Sequence, residues 1–431
     1  MKRKIFVAIV AVLAFSVTVS AQIGTWSGKI KVSGMELTLV FNIGEDAGTL
    51  DVPDQGAKDI PVSVSKNTLG GIDIGIPAIG ASFKGVWAGK TVAGTFTQNG
   101  MSFPLTLVPG APVLRRPQTP VPPYPYKTEE VSFTNGDAVL KGTLTLPENC
   151  DRKTPVLVMV TGSGLQNRDE AMFGHQPFAV IADAFARAGI ATLRYDDRGF
   201  GESTGNLVYC TTEDLKNDAL AGVNLLRDRF EKVGCLGHSE GGSIALMLAA
   251  EGQVDFAVSL AGMIVSGSET LLAQNRHALE TSGLPSSGLE AYLRLLSDTF
   301  DAIRSKSPLP SVGDYDVPDA LKQNYQASLG QLRTPYMEYF LGLDLSGKLG
   351  GISCPVMALN GTKDTQVQCD RNIAALKAGL PSGGRNVVKA EDGLNHLFQH
   401  CSTGEAAEYK EIEETFSPEV LSEMTEWIKK L

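Results

Sequence analysis

The pattern of hydrophobic and polar positions changes after about the first quarter of the chain. Residues 22–110 contain short segments in which apolar and polar residues alternate, such as Glu36–Phe41, with glycines recurring between them at turn spacing. A period of two predicts half-buried strands, and this stretch has no helical period. We therefore predict a small all-β domain at residues 22–110, built as a sandwich or a partial barrel.

A proline-rich segment follows this region. Residues 111–128 contain six prolines together with Arg115 and Arg116. Because proline restricts the backbone to extended conformations, such a segment favours a stiff connector. We place the domain boundary in this linker.

From residue 129 onward, continuous apolar runs replace the alternation, after a hairpin centred on Asn135-Gly136. Continuous runs are typical of strands buried on both faces, and helical segments separate them. The pattern predicts an α/β fold with a mainly parallel, doubly wound sheet over residues 129–431. The predicted strands are Pro155–Val160, Ile190–Tyr195, Val233–Leu236, Val254–Leu260, Pro355–Leu359 and Asn386–Lys389.

The alternation of strands and helices stops between about residues 263 and 350. Leu289–Ser305 and Asp319–Leu341 have the composition of helices, and Pro308 and Pro310 lie between them. A helical insertion above the ends of the strands is a natural lid. We predict that this segment is a cap that shapes access for the substrate.

The first 21 residues have the features of a signal peptide. Lys2–Lys4 is basic, Ile5–Phe15 is apolar, and Val19–Ala21 is a small-residue cleavage site. The apolar run is shorter than a spanning helix requires, and no cysteine at the cleavage point would carry a lipid. We expect a mature chain beginning at Gln22, periplasmic or secreted, without a stable membrane anchor.

Charge and cysteine content add two constraints. The formal net charge is −10, and loss of the three basic residues near the N-terminus would make it −13, which argues against a nucleic-acid partner. Export would permit disulfides among the six cysteines. Cys235, in a buried strand, is expected to be a free apolar residue. A bridge between Cys369 and Cys401 is left open. The sequence does not indicate the oligomeric state.

Two segments match the spacing G-x-S-x-G, which places a nucleophilic serine in a tight turn. Gly201–Gly205 follows a polar run and precedes no immediate helix. Gly237–Gly241 lies between an apolar strand and an apolar helix, which is the strand-turn-helix setting that the motif requires. We predict that Ser239 is the nucleophile and that Ser203 belongs to a structural turn.

A serine nucleophile needs a histidine base, expected in the loop after a late strand. His396 lies in such a loop, directly after the strand that ends near Lys389, and His400 is the alternative base. The pair could also bind a metal, but no H-E-x-x-H motif accompanies it, and we predict no metal site. Of the other three histidines, His175 precedes the serine and His277 falls in the cap. His238 adjoins the serine and would point away from it.

The carboxylate that orients the base should follow an earlier strand than the histidine. Asp364 lies immediately after the strand that ends at Leu359 and is the first choice. Asp370 and Asp392 are the alternatives.

The oxyanion hole requires two backbone amides. The first is expected from Glu240, directly after the nucleophile, and the second from either Gly164 or Leu165, in the loop after the first buried strand. Arg168, just beyond this loop, either touches the substrate or pairs with Asp169 or Glu170.

Five segments together resemble a known family. The motifs TGSG, YDDRGFGES, GHSEGG, GTKD and GLNHLF occur in this order within residues 129–431. They are similar to those of α/β-hydrolases, and most closely to bacterial carboxylesterases of the serine aminopeptidase-like group. The leading β domain resembles one found ahead of such hydrolases in secreted bacterial proteins.

The resemblance implies a triad of Ser239, Asp364 and His396, no cofactor, and a small-molecule ester as substrate. A peptidase or an acyltransferase would use the same triad, so these activities remain alternatives. A non-catalytic binding protein is a further alternative, against which the presence of all three side chains weighs.

Overall fold

The computed structural model describes residues 23–32, 35–55, 57–66, 71–111, 115–281, 286–383 and 385–431. The predicted signal peptide and the predicted mature N-terminus at Gln22 lie outside these residues. The chain divides into two compact units, residues 1–113 and residues 114–431.

The first unit is a closed antiparallel barrel of eight strands, each paired with its neighbours in the chain. The first and last strands also pair, with Trp26 opposite Pro109 and Ser27 opposite Val108. Inward-facing side chains such as Phe41 fill the interior. The all-β prediction is confirmed, but closure replaces the expected sandwich or partial barrel. The strands are β1 (Gly24–Val32), β2 (Met35–Ile43), β3 (Ala47–Val52), β4 (Ala57–Lys66), β5 (Gly71–Ile76), β6 (Ala81–Ala88), β7 (Thr91–Gln98) and β8 (Met101–Pro109).

The second unit alternates strands and helices. Its strands are β9 (Lys127–Asn135), β10 (Ala138–Leu146), β11 (Val156–Val160), β12 (Ala191–Tyr195), β13 (Val233–His238), β14 (Phe256–Leu260), β15 (Val356–Gly361) and β16 (Val387–Glu391). Its helices are α1 (Pro177–Arg187), α2 (Thr212–Arg227), α3 (Glu240–Ala250), α4 (Gly267–Thr281), α5 (Ser286–Ser305), α6 (Asp319–Leu332), α7 (Pro335–Gly342), α8 (Cys369–Gly379) and α9 (Pro418–Lys429).

These strands form one sheet in the order β9-β10-β12-β11-β13-β14-β15-β16. β10 is antiparallel to both of its neighbours, and the pairs from β12 to β16 are parallel. Helices α2, α3 and α8 contribute to the core on one face, and α1 and α9 to the core on the other. From β11 the chain passes to β12, which lies on one side of β11, and then to β13, which lies on the other side. The carboxyl ends of β11 and β13 therefore mark a switch point, where ligands commonly bind.

In its described residues, the segment predicted to be a cap contains four α-helices, α4 to α7, where the sequence predicts two. The predicted helix over residues 319–341 is divided at Arg333 and Thr334, because Pro335 starts α7 and Thr334 caps it through a hydrogen bond from the Met337 amide. Tyr292, Leu296 and Tyr325 are among the buried residues of a separate small core within the cap.

Two further findings concern cysteines and membranes. All six cysteines are described, and each is a free thiol, so Cys369 and Cys401 are not bridged. Within the part of the chain that the structure describes, no helix has both the length and the apolar character needed to cross a bilayer.

Candidate active site

Ser239 lies in the sharp turn between β13 and α3. Its backbone has φ 54° and ψ −120°, which residues other than glycine rarely adopt. A Cβ atom on Gly237 would lie 1.9 Å from the Gly241 carbonyl oxygen, and one on Gly241 would lie 2.0 Å from the Val160 carbonyl oxygen. Only glycine fits at these two positions, so the turn has the steric character that the motif predicts.

We expect Gly237→Ala to destabilise the second unit by about 3 kcal/mol or more, because the new methyl group would meet backbone atoms that cannot move aside. The free energy of unfolding in urea measures the effect. Gly330→Ala is the control, because a Cβ atom there, on helix α6, meets nothing within 4 Å. It should leave stability unchanged or raise it by up to about 1 kcal/mol. Equal stabilities for the two variants would contradict the prediction.

Asp364 and His396 are in direct contact. His396 Nδ1 lies 2.7 Å from Asp364 Oδ2, and both residues are buried. Asn360 Nδ2 also donates to Oδ2, while the Gln366 and Val367 amides donate to Oδ1, each at 2.8 Å. Because four groups hold it, the carboxylate is fixed in orientation and fixes the imidazole in turn.

The alternative residues lie elsewhere. Asp370 and Asp392 are exposed. His400 is also exposed, and its Nδ1 lies 2.9 Å from Glu414 Oε1. Among the residues considered from the sequence, the structure therefore brings together Asp364 and His396.

Ser239 and His396 line the same cavity, of about 410 Å³. Its wall is mainly apolar, and the cap supplies much of it through Leu271, Tyr336, Met337 and Phe340. The other lining residues are Gly162, Ser163, Gln166, Glu170, Met172, Phe173, His238, Met263, Gln274, Gln366, Val367, Leu397, Ala406 and Tyr409. The two reactive side chains thus face a space that could hold an apolar acyl group.

The oxyanion loop, residues 161–165, differs in detail from the prediction. Gly164, at φ 95°, and Leu165, 44% exposed, are not among the residues that line the cavity. Ser163 and Gln166, on either side of these two residues, line the cavity. Glu240, the source of the other predicted amide, is the first residue of α3.

A family model described as serine aminopeptidase, S33, matches residues 175–396, which is slightly over half of the chain. The chain belongs to this family. The match spans Ser239, Asp364 and His396, and together with the sheet it confirms the predicted α/β-hydrolase fold. The predicted relationship to serine aminopeptidase-like hydrolases is likewise confirmed.

Individual relatives of this S33 hydrolase include esterases. Esterase EstD from Thermotoga maritima is 28% identical over 282 residues, which are 64% of this chain and 61% of that protein. The match therefore spans about three fifths of the length of EstD.

Solved structures with a similar chain path include an esterase and a peptidase. The Pyrococcus furiosus esterase Pf2001 has 17% identity over 71% of this chain and 93% of its own, with a TM-score of 0.42. Proline iminopeptidase from Mycobacterium smegmatis has 15% identity over 70% of this chain and 98% of its own, with a TM-score of 0.44.

The side chain of Glu240 links the S33 nucleophile helix to the cap, a role that sequence reasoning missed. Its Oε1 accepts a hydrogen bond from Thr212 Oγ1 and its Oε2 accepts one from the Tyr336 hydroxyl, each at 2.6 Å. Burial raises the pKa of the Glu240 carboxyl. Because Tyr336 belongs to α7, one short hydrogen bond joins the cap to the residue that follows the nucleophile.

His238 and Glu170 form a second buried pair at the site. His238 Nδ1 lies 2.9 Å from Glu170 Oε1, which also accepts a hydrogen bond from the Gly162 amide at 2.8 Å. His238 Nε2 lies 2.9 Å from the carbonyl oxygen of His396. The sequence argues against His238 as the base, and it offers Glu170 only as a possible partner of Arg168. The run of polar residues up to Glu170 is the available signal for its role.

Charged residues around the oxyanion loop are structural. Arg168 pairs with Asp196, Glu130 and Glu202, and with neither Asp169 nor Glu170 as was considered from the sequence.

Arg198 forms a buried ion pair with Asp218. Ser203 donates to the Asp196 carbonyl and accepts from the Lys141 amide, so the second G-x-S-x-G segment stabilises a turn.

Within the described residues, no group of three or more His, Cys, Asp or Glu side chains is arranged to hold a metal ion.

Proposed function

We propose that this S33 hydrolase is a serine carboxylesterase that cleaves esters with an apolar acyl group through an acyl-enzyme. The observation that carries the proposal is the joint placement of Ser239 and of the Asp364-bound His396 in one apolar cavity beneath the cap. A free serine hydroxyl is a poor nucleophile at neutral pH, and a positioned imidazole supplies the base that it lacks.

In the proposed reaction, Ser239 Oγ attacks the ester carbonyl while His396 Nε2 takes its proton. Asp364 accepts the hydrogen bond from Nδ1–H and stabilises the imidazolium. The amides of Glu240 and of Ser163, in place of Gly164 or Leu165, donate to the oxyanion. His396 then returns the proton to the departing alcohol. Water attacks the acyl-enzyme by the same steps, releasing the acid and regenerating Ser239.

The carboxylates near the nucleophile favour an ester over an aminoacyl substrate. An aminopeptidase must bind the α-ammonium group of its substrate. Glu170, in the cavity wall, already accepts two hydrogen bonds, and Glu240 is bound to Thr212 and Tyr336. An ammonium group in this cavity would have to compete with these contacts for a carboxylate, and without one it would be a buried charge without a partner, which is costly.

A matched pair of substrates tests this proposal. The p-nitrophenyl esters of 4-methylpentanoic acid and of leucine differ only in the α-ammonium group. We expect kcat/KM to be at least about tenfold higher for the 4-methylpentanoate, since the leucine ester must lose hydration without gaining a partner. Ser239→Ala corrects for background hydrolysis. Preference for the leucine ester, with cleavage of leucine p-nitroanilide, would support the peptidase alternative, and transfer to added alcohols would indicate an acyltransferase.

We also propose export of the chain, from the basic, apolar and small-residue segments of its first 21 residues. Mass spectrometry of the protein recovered from the periplasm or medium should give Gln22 as the first residue. Recovery of the intact chain with Met1 from the cytoplasm would contradict export.

A further inference from the structure

A continuous chain of buried hydrogen bonds runs behind the nucleophile. It passes from the Gly162 amide to Glu170, then to His238, and ends at the carbonyl oxygen of His396. Glu170 is 1% exposed and His238 is 5% exposed. The chain therefore connects the oxyanion loop with the loop that carries the base, and it crosses β13 at the residue before Ser239.

The two partners of the His238 ring determine its protonation. One is a carboxylate oxygen and the other is a carbonyl oxygen, and both are acceptors. While Glu170 is an ionised carboxylate, both contacts are hydrogen bonds only when the ring carries two protons, because a neutral imidazole has a single N–H group. His238 is then an imidazolium paired with the Glu170 carboxylate.

The surroundings of His238 agree with this state. Burial alone would lower its pKa, but the nearby Glu170 carboxylate, the His396 carbonyl and the charge of Asp364 act in the opposite direction, and the net result is a raised pKa. The His396 ring lies beside it, with centroids 4.7 Å apart. On one side, His238 lines a small apolar cavity with Phe178, Leu260 and Leu397.

Both ends of this chain of hydrogen bonds are close to the reacting groups. A Cβ atom on Gly162 would lie 3.1 Å from the Ser239 Cβ, so the loop backbone packs directly against the nucleophile. At the other end, the bond from His238 holds the backbone of His396, whose side chain is held by Asp364. We propose that Glu170 and His238 are positioning residues that hold the oxyanion loop and the catalytic base in position beside Ser239. The inference rests on the proposed serine hydrolase function.

The proposal predicts a particular pH dependence. The doubly protonated form of His238 is fully present below its pKa and is lost as pH rises through that pKa, when the bond to Glu170 or to His396 is broken. Glu170→Gln keeps an acceptor oxygen but removes the charge that raises the pKa of His238. The alkaline loss of reactivity should therefore begin at a lower pH in this variant than in the wild type.

The rate of labelling of Ser239 by a fluorophosphonate, followed against pH, tests this without reference to the natural substrate. We expect Glu170→Gln to reduce this rate, and kcat for a p-nitrophenyl ester, by about ten- to a hundredfold, because small misplacements of catalytic groups have effects of this size. KM should change little. Glu414→Gln is the matched control, because it removes the charge from another His–Glu pair, on the loop of His396 but outside the cavity.

Three outcomes would overturn the proposal. They are an unchanged alkaline limb in Glu170→Gln, a uniform loss of rate at every pH, and an equal effect of Glu414→Gln. Should Glu170→Gln not fold, nitrogen-15 NMR of the wild-type histidine rings gives the answer, with His238→Asn used for assignment. A neutral His238 ring at neutral pH would exclude the proposal. Failure of the esterase proposal can be distinguished from these outcomes. The wild-type protein would then react with the fluorophosphonate but would not cleave esters.

Discussion

Replacement of Ser239 by alanine is expected to lower kcat for ester hydrolysis by about four to six orders of magnitude, as in other serine hydrolases that lose the nucleophile. In the proposed reaction the hydroxyl forms the acyl-enzyme, and alanine would leave only the cavity and the proposed oxyanion amides. Because alanine is smaller than serine, the strained turn at φ 54° gains no new contact. Hydrolysis of p-nitrophenyl butyrate and labelling by a fluorophosphonate measure the two consequences.

Ser203→Ala is the matched control, because Ser203 occupies the other G-x-S-x-G segment. Its hydroxyl bridges the Asp196 carbonyl and the Lys141 amide, away from the cavity. We expect wild-type kcat and labelling, with a loss of stability of about 1–2 kcal/mol from the two missing hydrogen bonds. Retention of more than about a tenth of the activity in Ser239→Ala would exclude Ser239 as the nucleophile, since triad losses are far larger.

The α/β sheet could be predicted because its strands are buried on both faces. Val156–Val160 and Phe256–Leu260 are wholly buried, and Ser259 is the one polar residue in these two strands, so the apolar runs are nearly continuous. The closure of the barrel could not be predicted in this way. It depends on pairing between β1 and β8, some eighty residues apart, and alternation along each strand is the same in a sandwich and in a barrel.

The site could be predicted where its residues follow strands of recognisable pattern. Ser239, Asp364 and His396 each come after a predicted strand, and the structure places Ser239 and His396 on one cavity, with Asp364 bound to His396. The roles of the Glu240 side chain, Glu170 and His238 depend on contacts between distant segments. No local pattern indicates that Tyr336 of the cap would reach Glu240.

The oxyanion loop shows the same limit on a smaller scale. Its glycines predict close approach of the backbone to a carbonyl oxygen, but they do not tell which residue of the loop lines the cavity. The left-handed turn falls at Gly164, and the loop residues that line the cavity are Gly162 and Ser163. Which glycine adopts a positive φ is decided by the fold around the loop.

The second large effect is expected at His396. His396→Ala should reduce kcat by about four orders of magnitude or more, because Ser239 then lacks a base and the departing alcohol lacks an acid. KM should change little, since the imidazole acts on the transition state. The p-nitrophenyl ester assay measures both constants, and thermal unfolding confirms that the variant is folded.

His400→Ala distinguishes chemistry from disruption of the loop, because His400 is on the same loop, four residues from His396. Its ring is exposed and contacts Glu414, so its removal should leave kcat within about twofold of wild type, as for most surface substitutions. Comparable losses in the two variants would indicate that the loop as a whole, and not the His396 imidazole, supports the reaction. A large loss in His400→Ala alone would assign the base to His400, and the contact between Asp364 and His396 would then need a structural explanation.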